Sequence, residues 1–433
     1  MSRRQVVAPI LASIVLAVGV FIVAGLPGVG VPAPSGAPVG SGTPAVSPGA
    51  TSRPSAELPT PTTSPTPGPI PTATPEPVPA AELQAVLDRA IARAAIPGAS
   101  VTIVWSDGRS WTGTGGLADV AAQRPVTPDT AFAIASMTKT FTAALILRLV
   151  EDGKLSLDDR VAPLLPGVKV GKTITVRMLL DHTSGLADFF FGKGIDRALL
   201  ADRSRTWTAA RALRYVGPRR YLPGKGWNYS NTNYLLLGLI AERVGGAPFA
   251  SQVRERFLDP LGLTGAYVQA AEAPRGRPAR GYRFDGPGKT FPPIDLSDGT
   301  VVRPFTSVVT AAGAAGNIAA TSRDLARWAQ ALYGGQVLRP ETLQAAVDDA
   351  TRIARYSRTA GYGLGVQVTR IGTHRAWGHS GRLLGFRGEL RYLPDEGVAI
   401  AILTNQSRAD VHRIVEALLR IAAPPRRPCP NCA

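Results

Sequence analysis

From residue 80 onwards, the apolar positions of this chain follow a helical period, then a strand-like period, and then a helical period again. Residues 80–96 carry apolar side chains at helical spacing and stop at a Pro-Gly pair, which predicts a helix. Two strand-like runs follow on either side of Asp107-Gly108, a dipeptide typical of hairpin turns. A strongly apolar stretch then predicts a helix that begins near Ser136 and runs to about Gly153.

The rest of the chain is helical at first and returns to strands at its end. Helices are predicted between Gly- and Pro-rich loops at 175–181, 206–215, 231–244, 248–258, 322–333 and 340–347. The last part predicts four strands and a final helix, at 362–369, 373–379, 384–393, 397–404 and 410–421. Strands at both ends of a helical middle suggest an α/β (α+β) fold in which both chain ends complete one antiparallel sheet. The terminal helices would then cover one face of the sheet, and residues 118–360 the other.

The first 80 residues differ in composition from the rest. Arg3 and Arg4 precede an apolar run from Val6 to Leu26, which is as long as a membrane-spanning helix. We therefore expect residues 1–27 to be a membrane anchor or a cleaved signal peptide, with the rest exported to the outer face of the membrane or secreted. Residues 28–80 consist mainly of Pro, Thr, Ser, Ala and Gly, and are expected to form a disordered stalk.

Residues 81–421 are expected to form the folded domain, and residues 422–433 a tail. The tail contains Cys429 and Cys432, the two cysteines of the chain. A zinc site usually has four Cys or His ligands, and the tail offers no others. A local disulfide or a dispensable tip is therefore the expected state.

The formal net charge is +17, and almost all of it lies beyond residue 80, because residues 1–80 hold three arginines and two glutamates. Such a charge favours anionic partners such as lipid headgroups, wall polymers or acidic peptides, although arginines scattered over a solvated surface would give the same total. Export and the absence of a recognition motif disfavour nucleic acid. No phosphate loop, dinucleotide motif or metal-ligand cluster occurs in the sequence, so no cofactor and no metal is expected.

Ser136 and Lys139 are the first candidates for chemistry. Their i, i+3 spacing puts both side chains on one face of the predicted helix. A serine there lies near unpaired backbone amides at the helix start, and a lysine beside it can act as a base, whereas an arginine cannot lose its proton. Alone, the pair is weak evidence, since a serine that caps a helix beside a solvated lysine has the same spacing.

Two further short motifs strengthen the case. Tyr229-Ser230-Asn231 lies where a loop enters a predicted helix, and His379-Ser380-Gly381 lies between two strand-like runs. Each is the only Tyr-x-Asn or His-x-Gly in the sequence. The three motifs together, in the order Ser-x-x-Lys, Tyr-x-Asn and His-x-Gly, are a far more specific signal than the Ser-Lys pair alone.

With these motifs the chain resembles the penicillin-recognising serine hydrolases, which include class C β-lactamases, low-molecular-weight D-alanyl-D-alanine carboxypeptidases and related esterases. The resemblance covers roughly residues 81–421 and includes TVRMLLDHTSGL at 175–186 and AAGNIAATSRDLARWAQAL at 314–332. It implies a β-lactamase/transpeptidase-like fold, with the active site between the sheet and the helical insertion and the third motif on an edge strand. His379 stands where β-lactamases carry lysine, a variant similar to some peptidases and esterases, and this argues against a dedicated β-lactamase.

The resemblance implies roles for the first two motifs. Ser136 is the expected nucleophile. Lys139 is its expected general base, or the group that holds Tyr229 in a state that can be one. Tyr229 would protonate the leaving group, and Asn231 would orient Lys139 and the substrate amide.

The third motif is expected to bind substrate through His379, Ser380 and Gly381. Gly381 would let a substrate strand approach the edge backbone closely. The backbone amide of Arg382 would form an oxyanion hole together with that of Ser136.

His182, in the LLDHTSGL segment, invites a Ser-His triad interpretation. The family uses this loop structurally, so a structural hydrogen-bonding role is expected instead.

The expected function is that of an exported serine hydrolase that works through an acyl-enzyme, and a monomer is the expected state. A D-alanyl-D-alanine carboxypeptidase-like peptidase or an esterase is favoured, acting on peptidoglycan stem peptides or small esters. A β-lactamase is one alternative, and a catalytically idle wall-binding or sensor protein with the same fold is another.

Overall fold

A computed structural model describes residues 77–284, 293–352, 355–357 and 360–424. Its main feature is a nine-stranded antiparallel sheet. With strands numbered in chain order, this sheet runs from edge to edge as β3 (Arg124–Pro125), β2 (Ser110–Asp119), β1 (Gly98–Val104), β14 (Val398–Thr404), β13 (Phe386–Leu393), β12 (His374–Leu383), β11 (Gln367–Ile371), β10 (Ala360–Tyr362) and β9 (Arg355–Ser357). Two small sheets contain the other strands: β4 (Phe132–Ala133), β8 (Ile318–Ala320) and β5 (Tyr267–Val268) in one, and β6 (Tyr282–Arg283) and β7 (Ile294–Asp295) in the other.

The two ends of the folded chain meet inside the large sheet. β1 pairs with β14 in antiparallel register, so that Ala99 lies opposite Thr404 and Ile103 lies opposite Ile400. All residues of both strands are buried, because helices cover the sheet on both faces. The prediction that both ends of the folded chain complete one antiparallel sheet is confirmed.

The two terminal helices, α1 (Ala80–Ala94) and α12 (Val411–Ala422), cover one face of the sheet. Leu87 and Leu418 are fully buried there in one apolar cluster with side chains of β1 and β14. Burial of a leucine contributes about 1.5–3 kcal/mol, so this layer fixes the sheet from its outer side. Trp105 Nε1 also donates to the backbone oxygen of Ala422 (2.9 Å) and ties the end of α12 to the sheet.

The helical middle of the chain packs on the other face. Its helices are α2 (Thr138–Glu151), α3 (Val161–Leu164), α4 (Val176–Leu180), α5 (Ile195–Ala201), α6 (Ala209–Leu213), α7 (Asn231–Gly245), α8 (Phe249–Val253), α9 (Thr306–Ala312), α10 (Ser322–Tyr333) and α11 (Pro340–Arg352). Phe141 of α2 stacks on Trp328 of α10 with ring centroids 4.0 Å apart. α2 is therefore held firmly between the sheet and its neighbouring helices.

One expectation about the last strands is wrong, and another is confirmed only in part. The run predicted as one strand at 362–369 is interrupted by a tight turn in which Gly363 N donates to Val366 O (2.8 Å). Gly365 lies in this turn with a φ of +81°, a conformation that a glycine adopts easily. The pattern of apolar residues did not reveal the turn.

The strand that carries the third motif is an edge strand only in its second half. Residues 374–378 of β12 pair with β11 and residues 377–383 pair with β13, so that residues 379–383 pair with β13 alone. The third motif begins where the pairing with β11 ends, and it therefore lies on the open side of β12.

Several expectations concern residues outside the described part of the chain. These are the anchor or signal peptide at 1–27, the stalk up to residue 76, and Cys429 and Cys432 of the tail. Within the described residues, none of the helices has the length and apolar character needed to cross a bilayer.

Candidate active site

Ser136 lies on a short 3₁₀ turn, Ala135–Met137, that leads directly into α2. Ala135 has a φ of +52°, a left-handed conformation that is uncommon for a residue with a side chain. Thr138 Oγ1 accepts a hydrogen bond from Ile318 N (3.2 Å) and ties the turn to β8. Ser136 is partly exposed while both of its neighbours are buried, so it is the accessible residue of a fixed turn.

Lys139 lies one turn later, on α2, and is fully buried. Its Nζ lies 3.2 Å from Ser136 Oγ, 2.8 Å from Asn231 Oδ1 and 2.8 Å from the backbone oxygen of Ala315. Burial lowers the pKa of Lys139 to about 7, although the negative charge of Asp188 opposes this. The amine is therefore available in its neutral form near neutral pH.

The three oxygens around Lys139 define what a neutral amine does at this position. A neutral amine has two N–H donors and one lone pair, whereas an ammonium ion has three donors. The carbonyl oxygens of Asn231 and Ala315 can only accept, so they take the two N–H groups. The lone pair is left for the hydroxyl of Ser136, which is the arrangement that removes its proton.

Asn231 is the first residue of α7, and a buried carboxylate holds it in place. Asp188 Oδ2 accepts hydrogen bonds from the backbone N (3.2 Å) and from Nδ2 (2.7 Å) of Asn231. Asp188 Oδ1 accepts from Phe190 N (3.0 Å) at the start of a 3₁₀ turn. Burial raises the pKa of Asp188, and these hydrogen bonds oppose the rise.

Tyr229 lies just before α7, with its ring beside Lys139. The distance from Lys139 Nζ to the centre of this ring is 5.0 Å, and the distance to the ring of Tyr234 is 5.3 Å. Both distances lie in the range of cation–π contacts, which favour the charged form of the lysine. The structure thus brings the first two motifs together in one cluster.

His182 packs behind Tyr229, with ring centroids 4.4 Å apart. Its Nδ1 accepts a hydrogen bond from Ser230 N (3.2 Å) and lies 3.0 Å from Asn233 Nδ2. Because Nδ1 accepts, the ring proton lies on Nε2. Burial lowers the pKa of His182 well below its usual value, so the ring is neutral. These contacts give His182 a structural role at the start of α7.

His379 opens the third motif and is fully enclosed. Its Nδ1 donates to the backbone oxygen of Ser380 (2.6 Å), and its Nε2 lies 3.0 Å from the hydroxyl of Tyr362. With the proton on Nδ1, Nε2 accepts from Tyr362. Burial, and after it the positive charge of Lys139, lowers the pKa of His379 to about 3. His379 is therefore a neutral group in the site.

Ser380 is bound by the side chain of Gln367, the first residue of β11. Ser380 N donates to Gln367 Oε1 (3.0 Å), and Gln367 Nε2 donates to Ser380 Oγ (3.3 Å). Arg391 Nη2 also donates to Gln367 Oε1 (3.1 Å). Gln367 therefore satisfies the backbone of β12 at the position where β11 stops pairing with it.

Gly381 brings β12 against the turn Ala135–Met137, which carries Ser136. A side-chain carbon at Gly381 would lie 2.3 Å from the carbonyl oxygen of Ile134. The close approach that the structure shows is to this turn, and the expected approach of a substrate strand stays a prediction. Alternate amides of a strand point to the same side, so Arg382 N points to the same side of β12 as Ser380 N. Arg382 and Ser136 thus lie on adjacent backbone segments, as an oxyanion hole requires.

The described residues contain no group of His, Cys, Asp and Glu side chains that could hold a metal ion.

A profile of the beta-lactamase family matches residues 83–423, most of the chain and all of the cluster around Ser136. The chain belongs to the beta-lactamase family. The β-lactamase/transpeptidase-like fold expected from the three motifs is confirmed, both by this match and by the mixed architecture of the sheet and helices.

Similar proteins of this family carry different activities in their names. The chain is 30% identical over 357 residues to esterase EstB of Burkholderia gladioli, and the alignment covers 75% of this chain and 90% of EstB. It is 27% identical over 352 residues to Protein flp of Staphylococcus aureus (strain COL), which covers 78% of this chain but 65% of flp. A D-amino acid amidase from Ochrobactrum anthropi SV3 superimposes with a TM-score of 0.70 at 27% identity, covering 79% of this chain and 97% of the amidase. The chain thus belongs to a family of serine hydrolases whose named members include an esterase and an amidase.

Sequence reasoning missed three partners of the site. Asp188, Gln367 and the backbone oxygen of Ala315 each bind a motif residue from a distant part of the chain. Asp188 directly follows the HTSGLA segment, but neither its residue type nor its spacing marks it as part of the site. Their roles follow from three-dimensional contacts alone.

Proposed function

We propose that the protein is an exported serine hydrolase that forms an acyl-enzyme at Ser136 and cleaves small amides, peptides or esters. The observation that carries this proposal is the position of Lys139 Nζ, 3.2 Å from Ser136 Oγ and bound to two carbonyl oxygens. A nucleophile with a positioned, uncharged base is what acyl transfer needs.

In the proposed acylation step, the neutral amine of Lys139 takes the proton of Ser136 Oγ while this oxygen attacks the substrate carbonyl. The negative charge that develops on the carbonyl oxygen is bound by the backbone amides of Ser136 and Arg382. The intermediate then collapses, the bond to the leaving group breaks, and the proton held by Lys139 passes to the leaving group, either directly or through the hydroxyl of Tyr229, which gives up its own proton and takes the one from Lys139. Water attacks the resulting ester by the reverse route, which frees the acid and restores Ser136.

The proposed substrates carry no obligatory negative charge at the third motif. A protonated lysine at position 379 would attract a carboxylate, whereas the buried His379 is neutral. This favours simple amides, peptides and esters over anionic β-lactams. The amidase relative is named for D-amino acids, so we propose amides of D-residues as the first class to test. D-alanyl-D-alanine peptides come second, because the neutral His379 does not attract their terminal carboxylate.

Export is proposed from the sequence of the first 27 residues. Two arginines precede an apolar run there, and a Pro- and Thr-rich segment separates this run from the folded domain. In this proposal the N-terminal segment attaches the enzyme to the outer face of the membrane or directs its secretion.

The test is to incubate the protein with a chromogenic ester, a D-alanine amide and a fluorescent penicillin, and to map any covalent adduct by mass spectrometry. We expect ester or amide turnover and an acyl adduct on the peptide that contains Ser136. In Ser136→Ala the adduct should disappear and turnover should fall by at least about 10,000-fold. Ser204→Ala is a matched control, since Ser204 is an exposed loop serine that bonds to Asp202.

Substantial ester hydrolysis by a folded Ser136→Ala protein would contradict the proposal. Penicillin turnover that outpaces the best ester or amide would replace it with a β-lactamase activity. The absence of both turnover and adduct with all three compounds would favour a catalytically idle binding protein.

A further inference from the structure

We propose that Asp188 is a positioning residue of this active site, which fixes the side-chain amide of Asn231 and thereby directs the lone pair of Lys139 at Ser136. The inference rests on the proposed function, because it assigns a step in the same acyl transfer. It is carried by the contacts of one buried carboxylate.

Asp188 is buried, and both of its oxygens are used. Oδ2 accepts from the backbone N (3.2 Å) and from Nδ2 (2.7 Å) of Asn231, and Oδ1 accepts from Phe190 N (3.0 Å). An ionised carboxylate offers acceptors only, so the nitrogen of the Asn231 amide must point to Asp188. The oxygen of that amide must then point the other way, which is where Lys139 Nζ lies, at 2.8 Å.

The orientation of the amide decides what the lysine can do. With Asn231 Oδ1 as an acceptor, the neutral amine uses one N–H on Asn231, one on Ala315 O, and keeps its lone pair for Ser136. With the amide reversed, Asn231 Nδ2 would donate to Lys139, and the lone pair would be used there. Lys139 would then have no acceptor left for the proton of Ser136.

The charge of Asp188 has a separate effect on Lys139. A nearby negative charge favours the ammonium form, and Asp188 is the group whose charge raises the pKa of Lys139 against the lowering by burial. The other titratable side chains that face Lys139 are His182, His379, Tyr229 and Tyr234, and both histidines are neutral. Loss of the Asp188 charge should therefore lower the pKa of Lys139 further.

The first experiment compares Asp188→Asn with the wild type in ester or amide hydrolysis across pH. An asparagine at 188 presents one donor and one acceptor, so it no longer imposes a single orientation on Asn231. We expect kcat to fall by about 100-fold, the lower value for a positioned base, with KM changed by less than about threefold. The acidic limb of the kcat/KM profile should move to lower pH.

Asp181→Asn is the matched control. Asp181 is also a buried carboxylate at the start of the same loop, but it bonds to Thr183 N (2.9 Å) and Thr183 Oγ1 (2.6 Å) rather than to a residue of the site. A folded Asp181→Asn protein should keep the wild-type pH profile. Melting curves and circular dichroism of each variant show whether it is folded.

The second experiment asks whether Asp188 acts through Asn231. In an Asn231→Ala background the orientation of the amide no longer exists, so adding Asp188→Asn should change kcat by less than about threefold. An undiminished loss from Asp188→Asn in that background would show that Asp188 acts by another route and would overturn the inference.

An exchange of the two side chains covers the case in which Asp188→Asn fails to fold. In Asp188→Asn/Asn231→Asp the amide donates to the new carboxylate, whose second oxygen faces Lys139, so the hydrogen-bond pattern is restored. We expect kcat of the double variant to be at least about tenfold higher than that of Asp188→Asn. If Asp188→Asn is unfolded, we expect the double variant to fold and to show measurable kcat. The acidic limb of its kcat/KM profile should lie at higher pH than in the wild type. If the wild type acylates Ser136 but the variants keep its kcat and pH profile, this inference fails while the proposed function stands.

Discussion

Among single residues, Lys139 and His379 both lose charge through burial, with different consequences. The pKa of Lys139 falls to about 7, so this amine can hold or release a proton near neutral pH. The pKa of His379 falls to about 3, so its imidazole stays neutral over the whole range in which Lys139 titrates. The site therefore combines an amine that titrates near neutral pH, 3.2 Å from the hydroxyl of Ser136, with an uncharged histidine in the third motif.

His379→Lys should change the preference of the enzyme between substrates. An ammonium group at position 379 would attract the carboxylate of a penicillin, and a hydrogen bond to a charged group contributes about 1.5–3 kcal/mol. We expect the rate constant for penicillin acylation to rise by at least about tenfold relative to that for ester hydrolysis. Both rate constants should be measured near neutral pH for the wild type and the variant.

Thr373→Lys provides the control for this change. Thr373 is exposed in the turn between β11 and β12, six residues before His379, which places it about 20 Å away along the strand. A lysine there adds a cation without placing it near Ser136. An equal gain in penicillin acylation in both variants, or no gain in His379→Lys, would show that the charge at position 379 does not set specificity.

The sequence predicted the residues of the site that lie within short motifs, but not their partners. Ser136 and Lys139 could be paired because helical geometry brings positions i and i+3 together. Asp188 could not be paired with Asn231, because the two are 43 positions apart and meet only when the loop folds over the start of α7. The neutral state of His379 likewise depends on burial, which its motif does not reveal.

Among the elements, the second half of β12 has the largest influence on the site. Residues 379–383 do not pair with β11 and lie against the turn Ala135–Met137, and Gly381 allows this close approach. From its period the sequence predicted a strand at 373–379 only, so residues 380–383 of β12 were not predicted as part of it. It did not predict that β11 stops at this point, because strand pairing depends on residues distant in sequence.

Gly381→Ala should damage catalysis more than it damages stability. The added carbon would lie 2.3 Å from Ile134 O, so β12 must move away from the turn and carry the amide of Arg382 with it. Loss of one oxyanion-hole donor costs about 100- to 1,000-fold in kcat, whereas overpacking costs about 1–3 kcal/mol in the free energy of unfolding. Steady-state kinetics and thermal melts measure the two effects.

Gly171→Ala is the control, since a carbon there would meet Ile174 Cδ1 at 3.4 Å, an ordinary contact. This variant should keep wild-type kcat and stability. A Gly381→Ala enzyme with wild-type kcat would contradict the proposed role of Arg382 N in an oxyanion hole.

For the whole molecule, one sheet links the two ends of the folded chain, and the helical middle packs on it to form the site. The sequence suggested this arrangement because strand-like runs occur at both ends, and the family resemblance supported it. Propensity alone could not close the sheet, since the pairing of Ala99 with Thr404 joins residues from opposite ends of the domain. Short helices such as α5 and α9 were missed, because they span too few turns to show a clear period.

The pH dependence of the acylation of Ser136 tests the central claim most directly. The rate of the first turnover with a chromogenic ester is measured from about pH 5 to about pH 9 in the wild type and in Lys139→Arg. Because the pKa of Lys139 is lowered to about 7, the neutral base prevails above this pH, so the rate should rise with pH and level off with a midpoint near 7. Lys139→Arg keeps the charge but has no removable proton, and its acylation should be lost. A flat profile in the wild type, or wild-type rates in Lys139→Arg, would show that Lys139 acts only as a cation.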